Sequence, residues 1–96
     1  ILDANHPDMV VIGKEAWVIF QGRDPNQSGG WGREKAWLVR VKGNTNASDP
    51  SPLPSNGGSV AYPYLVKGNG GRVYATWTEI GEEGPKVMLC RGRINS

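Results

Sequence analysis

The sequence predicts an all-β fold assembled from two copies of one small antiparallel module. Three observations predict it. The 96 residues include 14 glycines and 7 prolines, a balance that suits short strands joined by many turns and works against long helices. The apolar runs are short and rich in β-branched and aromatic residues. The same order of features is also written twice, once in each half of the chain.

The first module spans residues 1–43. In HPDMVVIGKEAWVIFQG (6–22) the runs MVVI and AWVIF are strands flanking a turn, and EKAWLVRV (34–41) is a third strand. The loop between the second and third runs, GRDPNQSGGWGRE (22–34), is long and rich in glycine. Residues 44–58 then alternate proline with small polar residues, which no helix survives. They form a connection or an irregular edge strand around Leu53, where proline is tolerated. The second module spans 59–96, with strand runs PYLV, VYATWT and VMLCR. Its connections KGNGGR and GEEGPK read as hairpin turns, since Asn-Gly and Gly-Gly accept positive φ at little cost.

The two modules align in order. Pro7 and Pro63 stand 56 residues apart, while Trp17 and Tyr74, like Phe20 and Trp77, stand 57 apart because the second copy has a turn one residue longer. Lys35, Leu38 and Arg40 match Lys86, Leu89 and Arg91 at 51 residues. Most of the strand aromatics (Trp17, Phe20, Trp37, Tyr74, Trp77) are expected in the core between modules.

Charge and composition exclude several function classes. Eleven basic against nine acidic side chains leave a net charge of +2, without the basic stripe of a nucleic-acid binder or the basic amphipathic helix of a membrane binder. No apolar run approaches the roughly 20 residues of a membrane-spanning helix, and these residues include no signal peptide. Secreted and periplasmic locations both stay open. One cysteine, Cys90, permits no internal disulfide and is expected as a small core residue. One histidine and one cysteine supply neither a metal site nor a Ser-His or Cys-His machine, and no cofactor is expected.

Antiparallel strands repeating at about fifty residues are the signature of a β-propeller blade. YPYLV, GGRVYATWTE and KVMLCRG resemble the first three strands of a blade in the sialidase-like (BNR repeat) propellers, which show a Pro-containing inner strand, a strand with a Trp-x-Glu ending, and a strand ending in Arg. The first module, HPDMVVIGKEAWVIFQG, is also similar to blades of five-bladed arabinanase- and fructosidase-type glycosidases. The Asp box of the sialidase-like family, Ser-x-Asp-x-Gly-x-x-Trp, is incomplete: Ser48 and Asp49 are present but no Gly-x-x-Trp follows. The resemblance implies two antiparallel propeller blades. Rings need about 4–8 blades, so they belong to a larger propeller, completed by the rest of a longer chain or by self-association.

The resemblance also directs attention to particular residues. A retaining sialidase uses three arginines, a Tyr/Glu pair and an Asp acid, for which Arg40, Arg91, Tyr62, Tyr64, Tyr74, Glu79 and Asp8 are the candidates. The family's Arg-Ile-Pro motif is absent, its prolines being preceded here by His6 and Tyr62. Arg40 and Arg91 recur in both modules and read as strand-end structure. No catalytic set emerges; the weak candidate is Asp8, on an inner strand. Glu79, Glu82 and Glu83 read as solvated charges. A sugar site asks less: an aromatic face and planar polar groups. Trp31 in the loop SGGWGRE, with Arg23, Asp24 and Arg33 near it, is the candidate carbohydrate-binding set. Three functions follow: a glycan-binding propeller unit that is catalytically incomplete alone, a fragment of a glycoside hydrolase, or a propeller that binds a protein. A single β-sandwich is the alternative architecture.

Overall fold

A computed structural model describes residues 1–26, 34–43, 47–55 and 57–93. The chain is all-β. Strands β1 (Leu2–Ile12), β2 (Glu15–Arg23), β3 (Glu34–Lys42) and the short β4 (Ser51–Pro52) form one antiparallel sheet in sequential order. Strands β5 (Ser59–Lys67), β6 (Arg72–Gly81) and β7 (Gly84–Arg93) form a second. The proline-rich connection thus contributes an edge strand: Ser51 and Pro52 pair with Leu38 and Trp37, and the Leu53 amide donates to the Ala36 carbonyl at 2.8 Å. Pro52 lies on this edge strand and Pro50 and Pro54 flank it, positions where a missing N–H is tolerated.

β1 and β5 run further than their apolar runs, because Pro7 and Pro63 are each carried in a β-bulge. Between the pairs Asn5–Gln21 and Asp8–Ile19, β1 advances three residues while β2 advances two. Between Ala61–Thr78 and Tyr64–Thr76, β5 does the same against β6. The extra residue falls in the two aligned steps His6-Pro7 and Tyr62-Pro63. A bulge suits proline, whose nitrogen has no hydrogen to offer the ladder. The turns also correspond: Gly13 and Lys14 lie between paired Ile12 and Glu15, while Asn69–Gly71 make a 3₁₀ turn closed by the Gly68 amide on the Arg72 carbonyl.

The two sheets stack face to face, with β5 lying against β1, β2 and β3. Trp17, Ile19 and Ala36 from the first sheet and Val60, Leu65, Val73, Ala75 and Trp77 from the second form the buried core. Each large apolar side chain removed from water contributes about 1.5–3 kcal/mol. Met88 and Cys90 line the core from β7, as expected of Cys90. The indole of Trp17 approaches Gly92 so closely that a Cβ there would stand 2.7 Å from ring carbons Cη2 and Cζ3. Among the strand aromatics, Trp17 and Trp77 are buried between the sheets; Trp37 is buried on the face it shares with Phe20, turned away from the other sheet, and Phe20 and Tyr74 are half-buried on such outward faces.

Candidate functional site

The bulges lie on β1 and β5, the first strand of each sheet, which come together at a polar rim. His6 on β1 and Tyr62 on β5 face each other edge to face, ring centroids 5.5 Å apart. Both have φ above zero, 51° and 54°, and Asp3 nearby has 52°. Residues before proline favour extended backbone, and side chains other than glycine seldom enter this region, at a cost of order 1–3 kcal/mol each. The rim is therefore held in place by its surroundings. The Tyr62 amide donates to Gln21 Oε1 at 3.2 Å across the sheets. The Asn5 side-chain amide donates to the Asp3 carbonyl at 2.9 Å, which turns Asn5 Oδ1 toward His6 Nδ1 at 2.7 Å. His6 Nδ1 can donate to that oxygen. Arg23, on the neighbouring strand, forms an ion pair with Asp3.

Asp8 is also at this junction, in a structural position. Its Oδ2 accepts the Leu65 amide of β5 at 2.8 Å and its Oδ1 accepts the Met9 amide at 3.0 Å. Both carboxylate oxygens thus serve the backbone, one of them tying sheet to sheet.

The remaining sequence candidates divide. Of the proposed sugar-binding set, Arg23 joins the rim. Asp24 lies just beyond it, bonded by Lys35 Nζ at 2.9 Å and by the Asn26 amide at 2.9 Å. The Lys35 hydrogen bond, followed by that of Asn26, holds the Asp24 carboxyl below its ordinary 3.8. Trp31 and Arg33 lie outside the described residues. Arg40 places its guanidinium 5.8 Å from the centroid of the Trp17 ring, a cation–π contact in keeping with its reading as strand-end structure. Glu79 departs from its reading as a solvated charge: it is 5% exposed. It alternates in phase with Val73, Ala75 and Trp77, so the strand's two-residue period carries it to the covered face. Glu82 and Glu83 are exposed at the β6–β7 turn.

A depression of about 450 Å³ lies beside that turn between Gly57, Gly58 and the carboxylates of Glu79, Glu82 and Glu83. Among the described residues no aromatic side chain lines it, so these supply no flat apolar face for a sugar ring to stack on. Among the described residues no group of three or more His, Cys, Asp or Glu stands together as metal ligands, and no helix is long and apolar enough to cross a membrane.

Comparison with protein-family models, curated proteins and solved structures finds no match to the chain. Chemical reading therefore turns on the rim. It offers an exposed phenol ring, an imidazole, an amide and a guanidinium, all near the meeting of β1 and β5. His6 and Tyr62 went unselected as a pair in the sequence. The signal was there in retrospect, since His-Pro and Tyr-Pro occupy the same place in both modules.

Proposed function

We propose that the two sheets are adjoining blades of a sialidase-like β-propeller that binds glycans at the His6–Tyr62 rim without hydrolysing them. One observation carries the reading: two exposed ring side chains are held by strained backbone at the aligned bulges of β1 and β5. Strained positions of this kind gather at binding and catalytic sites. Tyr62, 56% exposed, supplies the apolar face that sugar C–H surfaces require, while Asn5, His6 and Arg23 supply planar polar groups for hydroxyls. The shared topology, shared bulge and stacked faces of the two sheets support the blade reading. Commitment of both Asp8 oxygens to backbone amides favours binding over hydrolysis.

A glycan array followed by titration calorimetry tests this. The wild-type chain is expected to retain a glycan, and Tyr62→Ala and His6→Ala each to weaken it by about tenfold, the value of one lost ring contact. Trp31→Ala reports whether the long loop shares the ligand. Equal binding by wild type, Tyr62→Ala and His6→Ala removes the rim. Turnover of a fluorogenic glycoside that Asp8→Asn abolishes replaces the reading with a hydrolase.

A further inference from the structure

The two faces that the stacked sheets leave outward are the repeat equivalents of the two faces already mated. On β2, Trp17, Ile19 and Gln21 share a face with Asp8, Val10 and Leu38, and that face meets the second sheet. Their counterparts 57 residues on, Tyr74, Thr76 and Thr78, lie with Tyr64, Val66 and Leu89 on the outward face of the second sheet. Conversely, the mated face of the second sheet (Val73, Ala75, Trp77) corresponds to Ala16, Val18 and Phe20, on the outward face of the first. The first sheet's mated face binds the second's mated face. Its equivalent on the second sheet is therefore shaped for the equivalent on the first, and each is outward.

Exposure follows this equivalence. Met9 is 58% exposed, while its counterpart Leu65 is 7% exposed at the mated face. Val87 is 82% exposed, while its counterpart Ala36 is 1% exposed. Leu89 at 67%, Val66 at 54% and Tyr64 at 57% add to the same outward apolar sheet surface. Such surfaces mark association sites. The side-chain sizes also compensate. Trp17 stands over Gly92 within the chain; at the repeated contact the smaller ring Tyr74, aligned with Trp17, would meet Val41, aligned with Gly92.

We infer that the outward face of the β5–β7 sheet binds the outward β1–β3 face of a second copy of this chain, head to tail, repeating the internal contact. This rests on the correspondence of the modules and on the blade reading, but not on sugar binding, so a failed glycan array leaves it standing. A head-to-tail contact uses two different patches and closes into a ring if its rotation permits. An isologous contact would use one patch twice.

Two variants separate these cases by sedimentation equilibrium and light scattering. Met9→Asp charges the first sheet's outward face and Leu89→Asp the second's. Both side chains are more than half exposed, and circular dichroism and thermal melting check that each variant folds. The wild-type chain is expected as an assembly of more than one 10.4 kDa copy, and each variant alone as a monomer. Mixed in equal amounts, the variants are expected to form a 1:1 dimer of twice that mass through the one intact face each retains. A monomeric wild-type chain overturns the inference. So does self-association of either folded variant alone, or a mixture that stays monomeric.

Discussion

Replacing Gly92 by alanine tests the contact between the sheets most directly, because two effects of known size oppose each other there. Gly92 has no positive φ, so alanine suits its backbone and, by restricting the unfolded chain, would stabilise a neutral site by about 0.4–1 kcal/mol. The added methyl, however, would lie 2.7 Å from Cη2 and Cζ3 of Trp17, well inside the 3.5–4.0 Å at which carbon atoms rest. The indole cannot easily yield. It is 7% exposed, its Nε1 donates to Glu15 Oε1 at 2.9 Å, and the Arg40 guanidinium covers its face. Overpacking of a closed core costs about 1–3 kcal/mol. The clash outweighs the entropic gain, leaving a net loss of about 1–2 kcal/mol. For a chain of this size that lowers Tm by about 5–15 °C.

The assay is urea and thermal unfolding followed by tryptophan fluorescence, in a Leu89→Asp background so that association does not add to stability. Trp17→Leu removes the ring atoms that the methyl meets. A double-mutant cycle should therefore show Gly92→Ala costing much less in the Trp17→Leu chain, with a coupling of about 0.5–3 kcal/mol. A Gly92→Ala chain as stable as its parent, or more stable, refutes the close approach of β7 to Trp17 and with it the described stacking of the sheets.

Four further outcomes follow from other contacts. Asp8→Ala leaves the half-buried Leu65 amide without its acceptor; it should cost about 1–3 kcal/mol in urea unfolding and accelerate hydrogen exchange at Leu65. Asp24 titrates below 3.8 in the folded chain, so its contribution is present above that pH and is lost as pH falls through the folded value. Lys35→Met should move its carboxyl resonance titration up toward 3.8 and make acid unfolding begin at higher pH. Tyr62→Asn keeps the backbone bond to Gln21 but replaces a ring residue with one that tolerates positive φ; it should stabilise the chain by about 1 kcal/mol while losing glycan binding. Tyr74→Trp should weaken self-association by enlarging a ring opposite Val41 of the next copy, and adding Val41→Gly should restore it, since together they copy the Trp17–Gly92 pair.

Much of the fold was legible because strand pairing in this chain is local. The turns at Gly13-Lys14 and Glu82-Glu83 join strands adjacent in sequence, and their apolar runs announce them. The bulges were not legible in the same way. Pro7 and Pro63 read as the beginnings of strands, because proline ordinarily ends ladder bonding, yet both lie inside strands that continue to Leu2 and Ser59. Nothing in local propensity favours positive φ before proline. That conformation follows from sheet register and from bonds such as Tyr62 to Gln21, 41 residues apart. Asp8 illustrates the same limit: its chemistry was visible, but its partner, the Leu65 amide, lies 57 residues away. Glu79 could have been placed, since its phase with Trp77 was plain and only its charge argued otherwise.

The differences between the modules carry as much information as their likeness. Type is retained at some matching positions although their surroundings within the chain differ: Leu38 packs against the core while Leu89 is exposed, and Pro63 is buried while Pro7 is exposed. Where a contact is made within the chain, the residues are specialised. Asp8 ties the sheets, while Tyr64 in its place is 57% exposed on the outward face. Trp17 fills the space that Gly92 vacates, while Tyr74 and Val41 divide the same roles differently. Had the outward faces been destined for water, substitution there would run toward charge. Instead Val66, Leu89 and Val87 stay apolar opposite Tyr74, Thr76 and Thr78. An apolar surface kept on both outer sides of a two-sheet stack is what a module needs when it is covered on both sides, and it is the feature a single closed sandwich would have to lose.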